Sequence, residues 1–297
     1  MNTVASLSGM TTRRIGSRQV TAIGLGAMPM STAGHMPDEA QSIRTIHAAL
    51  DAGVTLIDTA DAYTPSHTDV GHNEHLVAKA LNSWGGDAGS VLVSTKGGHT
   101  RTPGGGWGRD SRPEYLFQAC DRSLKALGVE SIGLYFHHRP DPQVPYEVAI
   151  GAIKDLVEAG KVQMAGVSNA DPEQLRVARE ILGDDLVAVQ NEFSPRFRTS
   201  EPEIDVADEI DIAFLSWSPL GGMGSAAELG SRHAAFGDIA AARGVSPQQV
   251  CLAWQLARSP RVVPIPGASR PESILDSLKA LDLELSGDEL ARLNSGR

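Results

Sequence analysis

Aromatic residues make up only 5% of this chain, cysteines number two, and acidic residues outnumber basic ones by 36 to 26. Each shortage excludes something. Two cysteines cannot form a disulfide framework. Cys120 and Cys251 both sit in helix-like apolar patterns, Phe117-Gln-Ala-Cys120 and Val250-Cys251-Leu-Ala, and read as buried thiols in a reducing compartment. No stretch reaches the roughly 18 apolar residues that a membrane-spanning helix needs. The first ten residues have no positive charge beyond the terminus and no apolar core, so a flexible tail over residues 1–10 is expected there rather than a signal peptide. Ordered-looking sequence opens at Thr11, which makes Met10 a candidate start. A formal net charge of −10 leaves no basic footprint for nucleic acid or an anionic membrane surface. The expectation is a cytoplasmic protein whose partner is a small molecule.

What is present fits one large α/β domain over residues 11–297. Hydrophobic residues at 41% and charged residues at 21% are ordinary for a globular chain, and 297 residues suffice for a single barrel. Thr12–Ile15, a Gly16-Ser17 turn and Arg18–Thr21 predict a small hairpin. Short apolar strands then alternate with helical patterns. Strands are predicted at Ala22–Leu25, Thr55–Ile57, Val91–Thr95, Ile132–Phe136, Val162–Val167, Leu186–Gln190, Ala213–Trp217 and Val262–Pro264. Helices follow each, with signals such as Asp38 as a cap, Gly128 as a stop, and Ser286 with Glu289 as a capping box. Eight βα units predict a (β/α)₈ barrel with an N-terminal hairpin and extra C-terminal helices. A doubly wound sheet is the competitor. Its dinucleotide fingerprint fails here, because Gly24-Leu-Gly26-Ala-Met-Pro29 has proline where the third glycine belongs.

In such a barrel the chemistry sits where strands run out into βα loops. Asp58, Lys96 and His138 end the second, third and fourth strands, and Tyr63 lies one short loop beyond Asp58. An ammonium beside a phenol favours the phenolate and lowers its pKa. A carboxylate keeps that ammonium charged and oriented. A histidine can orient a carbonyl or relay a proton. Together they suit protonation of an oxygen while a hydride arrives at its carbon. An Asp–Lys pair is often structural; four such groups at successive strand ends favour a site.

The set Asp58…Tyr63…Lys96…His138 resembles the catalytic tetrad of the aldo-keto reductases. The surrounding motifs agree, in order: Gly53-Val-Thr-Leu-Ile-Asp58, Gly71-His-Asn-Glu74, Ser94-Thr-Lys96, His138-Arg-Pro-Asp141, Gly166-Val-Ser168-Asn169, Val189-Gln190-Asn191 and Ile265-Pro-Gly-Ala-Ser-Arg270. The resemblance spans about residues 11 to 290. It implies a carbonyl reductase that uses NADPH, reversibly, with Tyr63 as general acid, Lys96 and Asp58 as its tuning pair, and His138 orienting the carbonyl. It further implies that Gly26 lies at the cofactor, and that Ser168, Asn169 and Gln190 hold the nicotinamide carboxamide. Trp217 would stack on the ring. Ser218, Pro219, Leu220 and Gly221 would run along the pyrophosphate. Ile265 and Gly267 would also meet the cofactor, Ser269 and Arg270 would meet the adenosine 2′-phosphate, and Asp276 would stand at the adenine. The family usually reads Glu-Asn there; this chain reads Asp276-Ser277, which leaves NADH open as a cofactor.

Met30, Trp107, Phe193 and Met223 follow strands and are candidate substrate-pocket residues, Trp107 as a wall or lid in its glycine-rich loop. His67, His72 and His75 could be taken for metal ligands, but a capping role for Asn73 at a helix start accounts for that stretch, and no metal is expected. His137 is expected to be structural. Two alternatives stay open: a cofactor-sensing or partner-binding protein with little turnover, and a barrel aldolase forming a Schiff base on Lys96.

Overall fold

The computed structural model describes residues 10–32, 36–222 and 224–295. The expected tail, apart from Met10, lies outside them, and so does Met223. A hairpin of β1 (Thr12–Ile15) and β2 (Arg18–Thr21) opens the fold. The parallel sheet starts with β3 (Leu25–Gly26) and β4 (Leu56–Asp58). After β5 (Leu92–Gly97) comes a second antiparallel hairpin, β6 (His99–Arg101) and β7 (Trp107–Arg109). The sheet continues with β8 (Leu134–His137), β9 (Ala165–Ser168), β10 (Leu186–Glu192), β11 (Ala213–Trp217) and β12 (Val262–Pro264). Twelve α-helices lie between and after the strands: α1 (Pro29–Thr32), α2 (Glu39–Asp51), α3 (His72–Ser83), α4 (Pro113–Leu127), α5 (Tyr146–Glu158), α6 (Pro172–Leu182), α7 (Glu201–Glu209), α8 (Leu229–Arg232), α9 (Ala234–Arg243), α10 (Pro247–Arg258), α11 (Pro271–Leu278) and α12 (Gly287–Ser295), counted among the described residues. No helix of the described residues is long and apolar enough to cross a membrane.

Eight parallel strands run in the order β12-β11-β10-β9-β8-β5-β4-β3. The first and last meet through Gly24 N–H to Pro264 O at 2.9 Å and Gly26 N–H to Pro266 O at 3.0 Å, so the sheet closes on itself. This is the (β/α)₈ barrel that the alternation predicts. The closure explains the early glycines. A Cβ on Gly26 would stand 2.8 Å from the Ile265 carbonyl oxygen, so the two backbones can approach only over glycine.

The core has two parts. Inward side chains such as Leu56, Leu92, Leu134, Phe136, Leu215 and Val263 fill the barrel, and Ile15 and Val20 of the opening hairpin join them to plug its N-terminal end. Outward side chains pack against the helices. Helix ends follow their local chemistry. Asp38 accepts from Gln41 N–H at 2.6 Å, Asp171 and Gln174 form a capping box, and Gly128 stops α4 in the left-handed region at φ 68°.

Asn73 departs from expectation. The N-cap of α3 is Gly71, not Asn73. Asn73 is buried, donates to Ala27 O and Ser31 Oγ, and accepts from Thr59 Oγ1. It thus ties the loops after β3 and β4 together. His72 and His75 are engaged locally, with Ser31 Oγ and Gly71 O respectively, each at 2.9 Å.

Candidate active site

Asp58 is the last residue of β4, and Lys96 sits one residue before the end of the neighbouring β5. Tyr63 is carried by the loop after β4, and His138 directly follows β8. Strand alternation sends Asp58, Lys96 and Gln190 to the barrel interior, where their polar ends meet. Lys96 Nζ donates to Asp58 Oδ2 at 2.6 Å, to Thr59 O at 2.7 Å and to Tyr63 Oη at 3.2 Å. All three ammonium protons have acceptors. Asp58 Oδ1 accepts from Ser94 Oγ at 2.7 Å and from Gln190 Nε2 at 2.9 Å. Lys96 is fully buried and Asp58 nearly so, and Tyr63 and His138 are themselves buried.

Burial pulls the Lys96 ammonium down, but Asp58 and Tyr63 outweigh it and hold its pKa above the usual value. Burial pushes the Tyr63 phenol up, Lys96 offsets part of that rise, and Asp58 adds to it. The net shift is upward, contrary to the lowering expected from Lys96 alone, because desolvation of the phenolate is the largest effect. Burial, then Lys96 and His99, keep His138 far below the usual histidine range, so its imidazole is neutral. The Tyr63 and His138 rings meet edge to face with centroids 5.8 Å apart.

These groups open onto a cavity of about 740 Å³ at the C-terminal ends of the strands. Its wall includes Gly26, Asp58, Tyr63, Trp107, His138, Ser168, Asn169, Gln190, Trp217, Ser218, Pro219, Leu220, Ile265, Gly267 and Ser269, all singled out in the sequence. Lys96 stands behind Asp58 and Tyr63. The lining of the cavity offers groups that suit a nicotinamide dinucleotide. It extends from Tyr63 past Trp217 to Ser269 and Ser273. The Trp217 indole N–H is buried without a partner. Asn169 at φ 55° and Ser218 at φ 50°, both in the wall, hold left-handed backbone that non-glycine residues seldom adopt. Asn169 bridges the site, donating to His138 O and Ser168 Oγ.

Several expected residues lie elsewhere. Phe193 is fully buried and stacks on Trp254 at 5.1 Å. It is three residues past inward-facing Gln190, so alternation turns it toward the helices. Met30 packs from α1 into the core between β3, α2 and α3. Asp276 accepts from Ser246 Oγ and Gln249 Nε2, both at 2.6 Å, and so is engaged with the start of α10 rather than with the cavity. Gly221 and Arg270 adjoin wall residues without forming the wall, and Arg270 donates through Nε to Ser273 Oγ at the start of α11. His137, expected to be structural, is fully buried against Ser111 Oγ at 2.8 Å.

The glycine-rich loop is more ordered than its composition foretells. The β6–β7 hairpin stacks Trp107 on His99 at 4.5 Å, with the Arg101 guanidinium 4.2 Å from the Trp107 ring centre. His99 in turn meets His138 edge to face at 4.9 Å. His99, Arg109 and Arg139 line the cavity and were not singled out in the sequence. Arg139 stands directly after His138, and that adjacency was the available signal.

A parallel eight-stranded barrel with a cavity at its C-terminal strand ends is the architecture of a large class of barrel enzymes. The model of the aldo/keto reductase family matches residues 22–296, and the chain belongs to that family. It is accordingly a nicotinamide-dependent oxidoreductase acting on CH–OH and C=O groups. Among solved structures, it is similar to a glycerol dehydrogenase from Gluconobacter oxydans, with 27% identity, TM-score 0.82 and coverage of 95% of this chain and 94% of that one. It is also similar to an aldo/keto reductase from Klebsiella pneumoniae in complex with NADP and acetate, with 27% identity, TM-score 0.80 and coverage of 96% and 94%. A thermostable aldo-keto reductase in complex with the inhibitor epalrestat gives 27% identity, TM-score 0.79 and coverage of 96% and 99%.

Proposed function

We propose that the protein is an NADPH-dependent reductase of aldehydes or ketones, reversible toward the alcohol, with Tyr63 as its general acid. The observation that carries this is the triple engagement of Lys96: one ammonium joins Asp58, Thr59 and the Tyr63 hydroxyl. When bound, the reduced nicotinamide supplies the hydride for the carbonyl carbon. Tyr63 gives its proton to the carbonyl oxygen, and the phenolate left behind faces a full positive charge within hydrogen-bond reach. Burial makes that charge more effective than it is in water. Asp58 keeps Lys96 protonated and fixed. Neutral His138 orients the carbonyl by a hydrogen bond.

Ser168, Asn169 and Gln190 would hold the carboxamide, Trp217 the ring face, and Ser218 to Leu220 the pyrophosphate. Arg270, exposed at the start of α11 beside Ser269, suits an adenosine 2′-phosphate through its planar fork, which favours NADPH over NADH. A Schiff base on Lys96 is disfavoured by the same geometry, since imine formation needs a neutral amine and here the ammonium is held above its usual pKa. A panel of aldehydes and ketones with NADPH and NADH, followed by oxidation of the matching alcohols, tests the proposal. NADPH-dependent turnover in both directions is expected; a panel with no turnover under either cofactor would favour a cofactor-sensing role.

A further inference from the structure

Arg109 and Arg139 reach the cavity wall together, beside Trp107 and His138. Among the described residues, Asp58 is the one carboxylate in that wall, and it is already engaged by Lys96, Ser94 and Gln190. Among the described residues neither arginine forms an ion pair. Arg109 Nη1 donates to the Pro140 carbonyl at 3.1 Å, and Arg139 Nη2 donates to Asn169 Oδ1 at 3.0 Å. Arg139 Nε is buried with no partner at all. Glu192, at the end of β10, is close enough for Arg139 to act on its carboxyl, but it lies off the wall and burial raises its pKa. In a chain of net charge −10, the substrate end of the cavity is therefore an island of positive charge.

Arg139 is half-buried beside exposed Arg109, so an anion between them would meet a partly desolvated guanidinium. Burial first, then Arg109, pull the Arg139 guanidinium below its usual range. Burial, then Arg139, Arg109 and Arg101, push the neighbouring His99 down to about 4. The cofactor's phosphates are poorly placed to neutralise them. In the closed barrel β8, which leads to Arg139, stands opposite β12, which leads to Ser269 and Arg270. The hairpin carrying Arg109 leaves β5, the neighbour of β8.

We propose that this cavity selects carbonyl substrates that carry an anionic group, a carboxylate or a phosphate, docked at Arg109 and Arg139 with Trp107 as the adjoining wall. The proposal rests on the carbonyl-reductase function above and names its substrate class. A guanidinium fork matches either anion in a bidentate manner.

The test uses the full chain with NADPH and matched pairs: succinic semialdehyde against its neutral methyl ester, and glyceraldehyde 3-phosphate against glyceraldehyde. For at least one pair, kcat/KM is expected to favour the anionic member by about tenfold or more, as a charge-assisted hydrogen bond provides. The pair that discriminates identifies the anion. Arg109→Gln brings that ratio toward one, and Arg109→Lys keeps part of it. A ratio of one or less for both pairs in the unaltered protein overturns the proposal. So does succinate inhibition that competes with NADPH instead of with the carbonyl compound. Calorimetry of succinate and of inorganic phosphate with the NADPH-loaded protein reads the anion site without turnover. Binding of one of them that Arg109→Gln abolishes supports the site even if no carbonyl is reduced, and absence of both overturns it even if neutral aldehydes are good substrates.

Discussion

Lys96 Nζ lies 3.2 Å from the Tyr63 hydroxyl while its other two protons are held by Asp58 and Thr59. The ammonium cannot turn away from the phenol without breaking buried hydrogen bonds, so its charge is fixed where a phenolate would form. The same enclosure makes the pair structurally sensitive. Lys96→Met leaves Asp58 charged and buried with no cation, which is expected to lower unfolding stability by about 3–5 kcal/mol. Adding Asp58→Asn should return part of that loss. Denaturant unfolding of both variants checks this, and a single variant as stable as the unaltered protein would show that the pair is not enclosed.

Glu74 gives a second, independent reading of the buried charges around the site. Its Oε1 accepts from Thr95 Oγ1 at 2.5 Å and its Oε2 is buried without a partner. Burial raises its pKa from 4.5 to about 7. A carboxyl whose folded pKa is raised binds its proton more tightly when folded. Its stabilising effect is complete below about pH 4.5 and is lost as pH climbs to about 7, amounting to up to about 3 kcal/mol. Glu74→Gln should flatten the fall in melting temperature across that window relative to the unaltered protein. Identical profiles would contradict the shift.

His138 should not shape the pH dependence in the neutral range. Its pKa lies well below the ordinary 6.5, chiefly through burial, so it is already neutral there. Between about pH 6 and 8, kcat/KM is expected to show no acid limb near pH 6.5. Such a limb, abolished by His138→Gln, would mean that the histidine acts in its charged form.

Trp107 is 41% exposed, yet its ring is held between His99 and Arg101. Removing it opens the wall and leaves Tyr63, Lys96 and Asp58 untouched. Trp107→Ala should therefore raise KM by about tenfold, on the scale of a lost wall contact, with kcat changed by less. A large loss in kcat with KM unchanged would place Trp107 in the chemical step.

Most of the barrel was legible because its buried strands read as apolar runs bounded by helix signals. Several of the runs stop short of the strands' true ends, while Ala213–Trp217 and Val262–Pro264 end where predicted. β5 continues through Lys96 to Gly97, and β9 through Ser168, since backbone hydrogen bonding continues after the side chains turn polar. Asp58, Tyr63, Lys96 and His138 could be found by type and position. Phe193 and Met30 could not be placed, because lying near a strand end does not reveal which face a side chain takes. The β6–β7 hairpin was hidden by its glycines, and its order comes from Trp107, His99 and Arg101 meeting across it. Arg109 and Arg139 gain their meaning only from standing together in the cavity wall without an ion-pair partner among the described residues, which is a property of the folded cavity.

In the proposed reaction Tyr63 supplies the proton. Single-turnover reduction of an accepted carbonyl by Tyr63→Phe with saturating NADPH tests it most directly, alongside fluorescence titration of NADPH. The expected result is a rate lowered by about 10²–10⁴-fold with cofactor affinity nearly unchanged. A rate within a few-fold of the unaltered protein would contradict the account.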